Sequence, residues 1–439
     1  MTHSELLQKI ENGSAKIAVV ALGYVGLPLI RTFWDAGFSV LGFDVDPVKI
    51  EKLRIGENYL QHLGQDFVNQ MSRSNRFSVT SEPEQLAQCD AILICVPTPL
   101  GMHQDPDLSF VKQTTADIAE ILRPGQLVVL ESTTYPGTTR QIMLPEFERS
   151  GFKCGHDFYL AYSPEREDPG RKDHNTQTIP KLVGGIDEIS SELAVALYRR
   201  AVTSVIPVSS AEIAEAAKLL ENVYRAVNIA LVNEMKIILT ELDIDVWEVI
   251  DAAATKPFGF EPFYPGPGLG GHCIPIDPFY LTWKAREVGQ STRFIELAGQ
   301  INHQMPRYVV QRTVLILSQR GQAIRGAKIL LLGLAYKPDV DDVRESPSFE
   351  LIEQLEALGA HVNYHDPYVP ATHKMRRHDL HMKSVDISPA ILEEYDCVLI
   401  ATHHSSCDWQ MVADYARLVI DTRGVMRGFA TDRDHIVQA

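Results

Sequence analysis

The chain has 439 residues, which is too long for a single hydrophobic core, so we expect two or three domains. Its 45% hydrophobic and 22% charged residues are typical of a globular protein, and its net charge of -16 argues against nucleic acid and anionic membranes as partners. The 6 cysteines show no CxxC spacing, which argues against a metal site and a disulfide scaffold. The sequence has no signal-peptide pattern and no apolar run of transmembrane length, so we expect a cytoplasmic protein.

The first part of the chain alternates short apolar strands with helices, after a short polar helix within Met1–Gly13. The first two strands are separated by a turn at Gly23–Gly26 and a helix at Leu27–Ala36, which together make a βαβ unit. Strands are predicted at Lys16–Leu22, Phe38–Asp44, Ala91–Val96, Gln126–Leu130 and Phe158–Ser163. Apolar strands that alternate with helices indicate a mostly parallel, doubly wound sheet over residues 1–207.

The pattern becomes helical after about residue 205. Ser209 and Glu212 have capping-box spacing, and the chain then continues without Gly or Pro to about Leu242, a length typical of a helix that connects domains or forms a dimer interface. A second alternating region begins at Lys328–Leu334. The sequence therefore predicts an α/β fold with two Rossmann-like doubly wound domains, at residues 1–207 and 323–439, joined by a central helical domain at residues 208–322.

The first turn of the chain is a candidate cofactor site. It reads Ala21-Leu22-Gly23-Tyr24-Val25-Gly26, a dinucleotide fingerprint in which alanine replaces the first glycine. The two remaining glycines allow a pyrophosphate to approach the backbone and the helix to pack closely, and the helix N-terminus supplies N–H groups. Asp44 can accept hydrogen bonds from an adenosine ribose, which favours NAD over NADP. The alternatives are a structural turn without a ligand and a solvated carboxylate at the strand end.

The loop Tyr264–Pro278 is the strongest candidate for chemistry, because four glycines in six residues precede Cys273. Glycine lets the backbone approach a bulky ligand, and a cysteine in such a loop can be exposed and reactive. Asp277 follows four residues later and can orient or deprotonate a water or a thiol. The alternative for any single cysteine is a small buried hydrophobic residue, which is our interpretation of the other five.

Four further polar residues are placed where ligands bind. Lys218 and Asn222 share one face of the long helix and can stabilise an oxyanion, although a lysine considered alone is more typical of a solvated helix surface. Thr133 and Glu165 follow predicted strands, and open α/β sheets bind ligands at the carboxyl ends of their strands.

These motifs together resemble the UDP-glucose/GDP-mannose dehydrogenase family over nearly the whole chain. The motifs that carry the resemblance are GYVGLP at 23–28, VPTP at 96–99, EST at 131–133, SPE at 163–165, Lys218 with Asn222, GGHCIPIDP at 270–278 and GLAYKPDVDDVRESPS at 333–348. The resemblance implies an N-terminal domain that binds NAD, a helical middle that mediates dimerisation and a C-terminal domain that binds the substrate nucleotide. It also implies a four-electron oxidation of a sugar C6 alcohol to a carboxylate by two NAD.

The resemblance further implies catalytic roles. Cys273 is the nucleophile that carries a thiohemiacetal and then a thioester. Lys218 and Asn222 stabilise the oxyanion. Asp277 and Thr133 position water or assist proton transfer, and Glu165 takes part in thioester hydrolysis.

The resemblance also implies two sets of binding residues. The implied cofactor-binding residues are Leu22, Gly23, Tyr24, Val25, Gly26, Asp44, Lys49, Pro97, Thr98, Ser132, Thr133 and Arg344. The implied substrate-binding residues are Glu165, Arg166, Lys218, Asn222, Tyr264, Gly268, Gly271, Lys337 and Arg423.

Two details bear on the substrate. The segment Ser163–Gly170 and the run YPGPGLGGHCIPIDPFYL are most similar to the UDP-N-acetylglucosamine 6-dehydrogenases of surface polysaccharide synthesis, such as O-antigen, lipopolysaccharide or capsule. In that case Arg166 is a candidate for recognising the sugar, with a structural arginine as the alternative. UDP-glucose, UDP-N-acetylgalactosamine and UDP-N-acetylmannosamine remain alternative substrates, and a non-catalytic nucleotide-sugar-binding protein is an alternative of another class.

Overall fold

The computed structural model describes residues 1–60, 64–101, 104–166, 177–271, 274–375, 377–429 and 433–439. The internal contacts of the chain divide it into two compact units. The first unit comprises Met1–Glu221 with Phe279–Ser291, and the second comprises Asn222–Pro278 with Thr292–Ala439.

The described residues of the first unit form an eight-stranded sheet. Its strands are β1 (Lys16–Val20), β2 (Ser39–Phe43), β3 (Phe77–Thr80), β4 (Ala91–Ile94), β5 (Gln126–Leu130), β6 (Phe158–Tyr162), β7 (Lys181–Gly185) and β8 (Val205–Pro207). The strand order is β3-β2-β1-β4-β5-β6-β7-β8, and neighbouring strands are parallel except for β6 and β7. The order reverses between β1 and β4, which is the topological switch point where doubly wound sheets bind ligands. The predicted doubly wound sheet is confirmed.

Helices cover the faces of this sheet. They are α1 (His3–Glu11), α2 (Gly26–Asp35), α3 (Pro47–Ile55), α4 (Gln65–Ser72), α5 (Ser109–Ile121), α6 (Leu144–Glu148) and α7 (Glu188–Arg199). A 3-10 helix lies at Pro83–Gln88 and a π-helical turn at Thr139–Met143. Apolar side chains of the core surround the edge-to-face rings of Phe33 and Phe38, and the ring of Tyr198 packs against Phe33.

The long helix α8 covers Ala211–Glu241, close to its predicted extent. Its predicted cap is wrong by one residue, because the hydroxyl of Ser210, not that of Ser209, accepts a hydrogen bond from the Ile213 N–H at 3.4 Å. One face of the helix exposes apolar side chains at roughly heptad spacing. They are Tyr224, Leu231, Met235 and Ile238, with Leu242 directly after the helix, and each is at least 36% exposed.

The second unit combines helices with a five-stranded parallel sheet. Its helices after α8 are α9 (Val246–Ala254), α10 (Asp277–Glu287, of which the unit contains the first two residues), α11 (Arg293–Gln319), α12 (Pro347–Ala357), α13 (Pro389–Leu392) and α14 (Trp409–Tyr415). Its strands are β9 (Lys328–Leu332), β10 (His361–His365), β11 (Cys397–Ile400), β12 (Val419–Asp421) and β13 (Ile436–Gln438), in the order β10-β9-β11-β12-β13. The predicted second Rossmann-like region and the helical middle are therefore present.

The two sheets share one hydrogen-bonding arrangement. In the first, Oδ2 of Asp44, which follows β2, accepts a hydrogen bond from the Leu22 N–H at 2.8 Å. In the second, Oδ2 of Asp366, which follows β10, accepts one from the Leu334 N–H at 2.7 Å. Each carboxylate thus fixes the turn that follows the first strand of its sheet. None of the described helices is long and apolar enough to span a membrane.

Candidate active site

The turn after β1 is shaped by two small residues. Ala21 has φ 72°, in the left-handed region that favours glycine, so the strand ends at Val20 and not at the predicted Leu22. A Cβ on Gly26 would lie 2.0 Å from the carbonyl oxygen of Ala21, and only glycine can start α2 at this distance. A Cβ on Gly23, in contrast, would meet no described atom within 4 Å, so the backbone there is open to a ligand.

Asp44 follows β2, the neighbour of β1, and is 4% exposed. Its Oδ2 lies 3.0 Å from Nζ of Lys49, and its Oδ1 accepts a hydrogen bond from the Asp46 N–H at 2.9 Å. The Tyr59 hydroxyl donates to the carbonyl oxygen of Leu22 at 2.6 Å, beside the same carboxylate. This places the predicted Leu22, Asp44 and Lys49 together.

The residues of this turn fit a dinucleotide. No side chain of the described residues caps the N-terminus of α2, whose N-cap is Val25, and the first turn of that helix has no acidic residue. A helix start of this kind accepts a phosphate group, and the open backbone at Gly23 allows the close approach. Tyr24 lies half-buried between these two positions.

The carboxyl ends of β4 and β5 carry the next predicted residues. Pro97 is exposed and Thr98 is 3% exposed after β4. The Ser132 hydroxyl donates to the carbonyl oxygen of Val96 at 2.7 Å, which ties the two strand ends together. Thr133 follows and is half-buried. These residues line the same edge of the sheet as the turn after β1, as parallel strands require.

Glu165 and Arg166, after β6, are held by their surroundings. Oε2 of Glu165 lies 3.1 Å from Nζ of Lys181, and its Oε1 accepts a hydrogen bond from the Arg166 N–H at 2.7 Å. The Arg166 guanidinium lies 2.6 Å from a carboxylate oxygen of Glu221 and donates to the carbonyl oxygen of Pro180 at 2.6 Å. Arg166 therefore has a structural role, and sugar recognition by it would require the ion pair with Glu221 to open.

Lys218 and Asn222 lie four residues apart on α8 and are 6% and 3% exposed. Lys218 is therefore not the solvated helix lysine that its sequence position suggests in isolation. The Asn222 amide donates to Oδ2 of Asp277 at 2.5 Å, and Asp277 is 1% exposed. The structure thus joins two of the predicted catalytic residues. A carboxylate that accepts a hydrogen bond from an amide is held in one orientation, ready to bind a water or a thiol proton.

Cys273 and His272 lie outside the described residues. The glycines before them are in close contact with protein groups. A Cβ on Gly266 would lie 2.4 Å from Nη1 of Arg423, one on Gly268 2.9 Å from Cβ of Pro347, and one on Gly271 2.9 Å from the ring of Tyr336. Close packing against protein groups is therefore a second reason for glycine in this loop, besides the predicted approach of a ligand. Tyr264 is 47% exposed and donates to Asp251 at 2.8 Å.

Three predicted basic residues lie in the second unit. Lys337 and Arg344 are half-buried after β9, and the Arg344 guanidinium lies 2.7 Å from Oδ2 of Asp342. Arg423 follows β12, and its Nε donates to the carbonyl oxygen of Ala401 at 2.7 Å. Burial lowers the pKa of Arg423 to about 10, and the carboxylate of Asp421 opposes this effect.

Two lysines that the sequence did not single out are buried. Lys181 begins β7, whose apolar pattern KLVGG we did not assign as a strand. Lys236, on α8, is 1% exposed, and its Nζ has no hydrogen-bond partner among the described residues but lies 5.3 Å from the centroid of the Trp247 ring. In the sequence each has the pattern of an ordinary charged residue, and their burial depends on elements distant in the chain.

The other five cysteines show no sign of reactivity. Cys89, Cys397 and Cys407 are buried, and Cys95 and Cys154 are partly buried. Burial raises the pKa of all five thiols, that of Cys407 to about 11 and those of Cys89 and Cys154 to about 12. A thiol that stays protonated is a poor nucleophile, which agrees with our interpretation of these cysteines as small hydrophobic residues.

Comparison with known proteins identifies three consecutive segments of one family. Residues 15–202 match the NAD binding domain of the UDP-glucose/GDP-mannose dehydrogenase family, residues 212–304 its central domain and residues 330–428 its UDP binding domain. These segments agree with the three-part architecture. The predicted boundaries after residues 207 and 322 stay predictions.

Similar proteins cover almost the whole chain. Protein CapL of Staphylococcus aureus is 38% identical over 92% of this chain and 93% of its own length. A UDP-N-acetyl-D-glucosamine 6-dehydrogenase of Pseudomonas aeruginosa is 36% identical over 89% of this chain and 90% of its own. Among solved structures, a UDP-D-ManNAc dehydrogenase from Pyrococcus horikoshii has a TM-score of 0.83 and 33% identity, covering 93% of this chain and 95% of its own.

Proposed function

Since this chain belongs to the UDP-glucose/GDP-mannose dehydrogenase family and is an NAD-dependent nucleotide-sugar dehydrogenase, we propose that it oxidises the C6 hydroxyl of UDP-N-acetyl-D-glucosamine to a carboxylate. The product is UDP-N-acetyl-D-glucosaminuronate. The observation that carries the proposed chemistry is the buried hydrogen bond from Asn222 to Asp277, because Asp277 follows Cys273 by only four residues.

When bound at the turn after β1, NAD would supply the hydride acceptor for both oxidations, one NAD for each. Cys273 adds its sulfur to the C6 aldehyde after the first oxidation and forms a thiohemiacetal, which the second oxidation converts to a thioester. Covalent attachment keeps the sugar in place between the two steps, whereas a hydrated aldehyde could leave.

Lys218 and Asn222 stabilise negative charge on the C6 oxygen. Both side chains are buried, so their ammonium and amide groups act where water screens charge weakly. The amide of Asn222 is already oriented by Asp277, which limits the reorganisation needed during the reaction.

Hydrolysis of the thioester requires a group that accepts a proton from water. Glu165 is the proposed acceptor, and Thr133 and Asp277 position the water or relay a proton. Hydrolysis releases the carboxylate product and restores the thiol of Cys273.

The remaining assignments to ligands are also proposals. The adenosine and pyrophosphate of NAD bind at the turn after β1 and at Asp44 and Lys49, with Pro97, Thr98, Ser132 and Thr133 along the same sheet edge. Arg344 reaches the cofactor and Lys337 the substrate. The substrate nucleotide also meets Tyr264, Gly268, Gly271 and Arg423.

The acetamido sugar is proposed on two grounds. The loop that ends at Pro278 is most similar to the UDP-N-acetylglucosamine enzymes, and a relative of that name is 36% identical. The UDP-D-ManNAc dehydrogenase from Pyrococcus horikoshii supports the C2 epimer as the second candidate. The resemblance of this loop and of Ser163–Gly170 to enzymes of surface polysaccharide synthesis is the ground for a place in capsule or O-antigen synthesis.

A substrate panel tests this proposal. Purified protein with NAD is mixed with the UDP derivatives of N-acetylglucosamine, N-acetylmannosamine, N-acetylgalactosamine and glucose at matched concentrations. We expect the highest kcat/KM with UDP-N-acetylglucosamine and two NADH for each sugar consumed. Faster turnover of another sugar would reassign the substrate, and one NADH for each sugar would refute the four-electron reaction. The absence of NADH with every sugar would support the non-catalytic alternative.

The location and the oligomeric state of the protein are also proposed. The protein acts in the cytoplasm, where both NAD and nucleotide sugars are present. It forms a homodimer or a higher oligomer through the helical middle, and the exposed apolar face of α8 supports this, because monomers rarely leave such a surface uncovered.

A further inference from the structure

In the first unit Glu165 belongs to a buried ion cluster with Glu131, Lys181 and Tyr198, and the reaction scheme uses none of these three partners. Nζ of Lys181 lies 2.6 Å from Oε2 of Glu131 and 3.1 Å from Oε2 of Glu165. The side chains of Glu131 and Lys181 are 0% and 3% exposed, whereas that of Glu165 is 14% exposed. Glu165 is therefore the carboxylate of the cluster that water can reach.

The direction of the strands brings Lys181 near Glu165. In the antiparallel pair β6 and β7, Tyr162 lies opposite Gly184. Because antiparallel strands run in opposite directions, the residues that follow β6, among them Glu165, lie near the start of β7, where Lys181 is the first residue. The backbone of Lys181 is fixed from the other side, since its N–H donates to the carbonyl oxygen of Ser204 at 2.9 Å.

Glu131 is the second carboxylate that contacts the Lys181 ammonium group. Oε1 of Glu131 accepts a hydrogen bond from the Tyr198 hydroxyl, and its Oε2 faces the ammonium group. Burial alone would lower the pKa of Lys181, but the two carboxylates outweigh burial and raise it above its ordinary value. Burial raises the pKa of Glu131, and Lys181 opposes that rise. Lys181 therefore stays protonated and keeps a positive charge next to the Glu165 carboxylate.

We propose that Lys181, anchored by Glu131 and Tyr198, is a positioning residue that keeps the Glu165 carboxylate ionised and oriented for thioester hydrolysis. This inference rests on the proposed function. In that step water gives a proton to Glu165, its oxygen bonds to the thioester carbon, and the carbon–sulfur bond breaks to release Cys273 as a thiolate. Lys181 itself exchanges no proton and touches no reacting atom.

The first test replaces the ammonium group by a neutral chain of similar length, in Lys181→Met. With the UDP-sugar that the panel identifies, we expect hydrolysis to slow by about 10- to 100-fold, which is less than the roughly 10²- to 10⁴-fold contribution of a general acid or base, because the Glu165 carboxylate itself remains. Rapid mixing should still give a burst of two NADH for each site, and mass spectrometry after acid quench should show the acyl-enzyme. KM should change by less than about threefold, and the acidic limb of the kcat profile should move to higher pH.

A second pair of variants separates positioning from stability. Lys181→Met leaves Glu131 buried without its cation, which can unfold the protein. The double variant Glu131→Leu with Lys181→Met removes the whole buried pair, a change that is often neutral for stability. We expect it to fold and still accumulate the acyl-enzyme, whereas Lys181→Arg should recover hydrolysis to within about tenfold of the wild type. Normal hydrolysis in the folded double variant would overturn the inference.

Two controls separate this inference from the function on which it rests. Lys9→Met removes another ion pair of the first unit, in which Nζ of Lys9 lies 3.0 Å from Asp90, and it should leave the burst and the steady state unchanged. Glu165→Gln should accumulate the acyl-enzyme directly. If it does not, the proposed role of Glu165 is wrong. If it does and Lys181→Met does not, only the role of Lys181 is wrong.

Discussion

The role proposed for Cys273 distinguishes it from the other cysteines, and a single substitution can test that role. Cys273→Ala should abolish uronate formation, with a loss of about 10³-fold or more, because no sulfur is left to hold the aldehyde for the second oxidation. The measurement is the yield of uronate by chromatography with NADH counted in parallel. Cys154→Ala is the matched control, since burial raises the pKa of that thiol to about 12. An unchanged uronate yield in Cys273→Ala would refute the covalent mechanism.

Lys236 is expected to reduce the stability of the protein at neutral pH. Burial lowers its pKa to about 7, against the smaller raising effect of Asp421. Between about pH 7 and the ordinary lysine pKa near 10, the unfolded chain binds more protons than the folded one, so the free energy of unfolding rises with pH. Below pH 7 the folded protein must bury a charged ammonium group.

Lys236→Met should therefore stabilise the protein by about 2 kcal/mol at pH 7, and the gain should shrink towards pH 10. Thermal unfolding midpoints between pH 6 and 10 measure this effect. Lys112→Met, at an exposed position of α5, is the control and should shift the midpoint little at any pH. Parallel pH profiles for wild type and Lys236→Met would show that the buried lysine does not titrate in this range.

At the scale of elements, the turn between β1 and α2 contains Ala21, whose backbone is strained, and Gly26, which no larger residue can replace. Ala21 has φ 72°, which costs a residue with a Cβ roughly 1–2 kcal/mol, and Gly26 has no room for any side chain. Ala21→Gly should raise the unfolding free energy by about 0.5–1 kcal/mol, after subtracting the greater freedom of glycine in the unfolded chain. It should leave the KM for NAD within about threefold.

Ala36→Gly is the matched control for this prediction. Ala36 has φ -70°, which is not strained, so its replacement by glycine relieves no backbone strain. Thermal unfolding without cofactor compares the two variants. Equal destabilisation by both would show that Ala21 is not strained in solution.

At the scale of the whole molecule, the exposed apolar face of α8 predicts assembly. Leu231→Glu and Ile238→Glu place a charge on side chains that are 53% and 49% exposed, and either should convert an oligomer into a monomer of 49.1 kDa. Light scattering after size exclusion measures the mass. Leu358→Glu, at a 42% exposed position after α12, is the control and should keep the oligomer. An unchanged mass in both α8 variants would exclude this face as the interface.

The sequence alone determined the elements whose signal is local. The apolar runs around Ile17 and Ile329 specified strands because residues adjacent in the chain carry that pattern, and the absence of Gly and Pro specified α8. The order of motifs likewise indicated the family, which the matches to all three of its domains confirm. Spacing on one helix was enough to group Lys218 with Asn222.

Only the tertiary structure decided which partners these residues meet. The contact of Asn222 with Asp277 joins residues 55 apart in the chain, and that of Lys181 with Glu131 joins residues 50 apart. Burial of Lys181 and Lys236 has no local signal, because a lysine in a strand or helix is more often solvated. Whether a charge is solvated, paired or isolated depends on the packing of distant elements, and that packing sets the pKa on which the proposed chemistry depends.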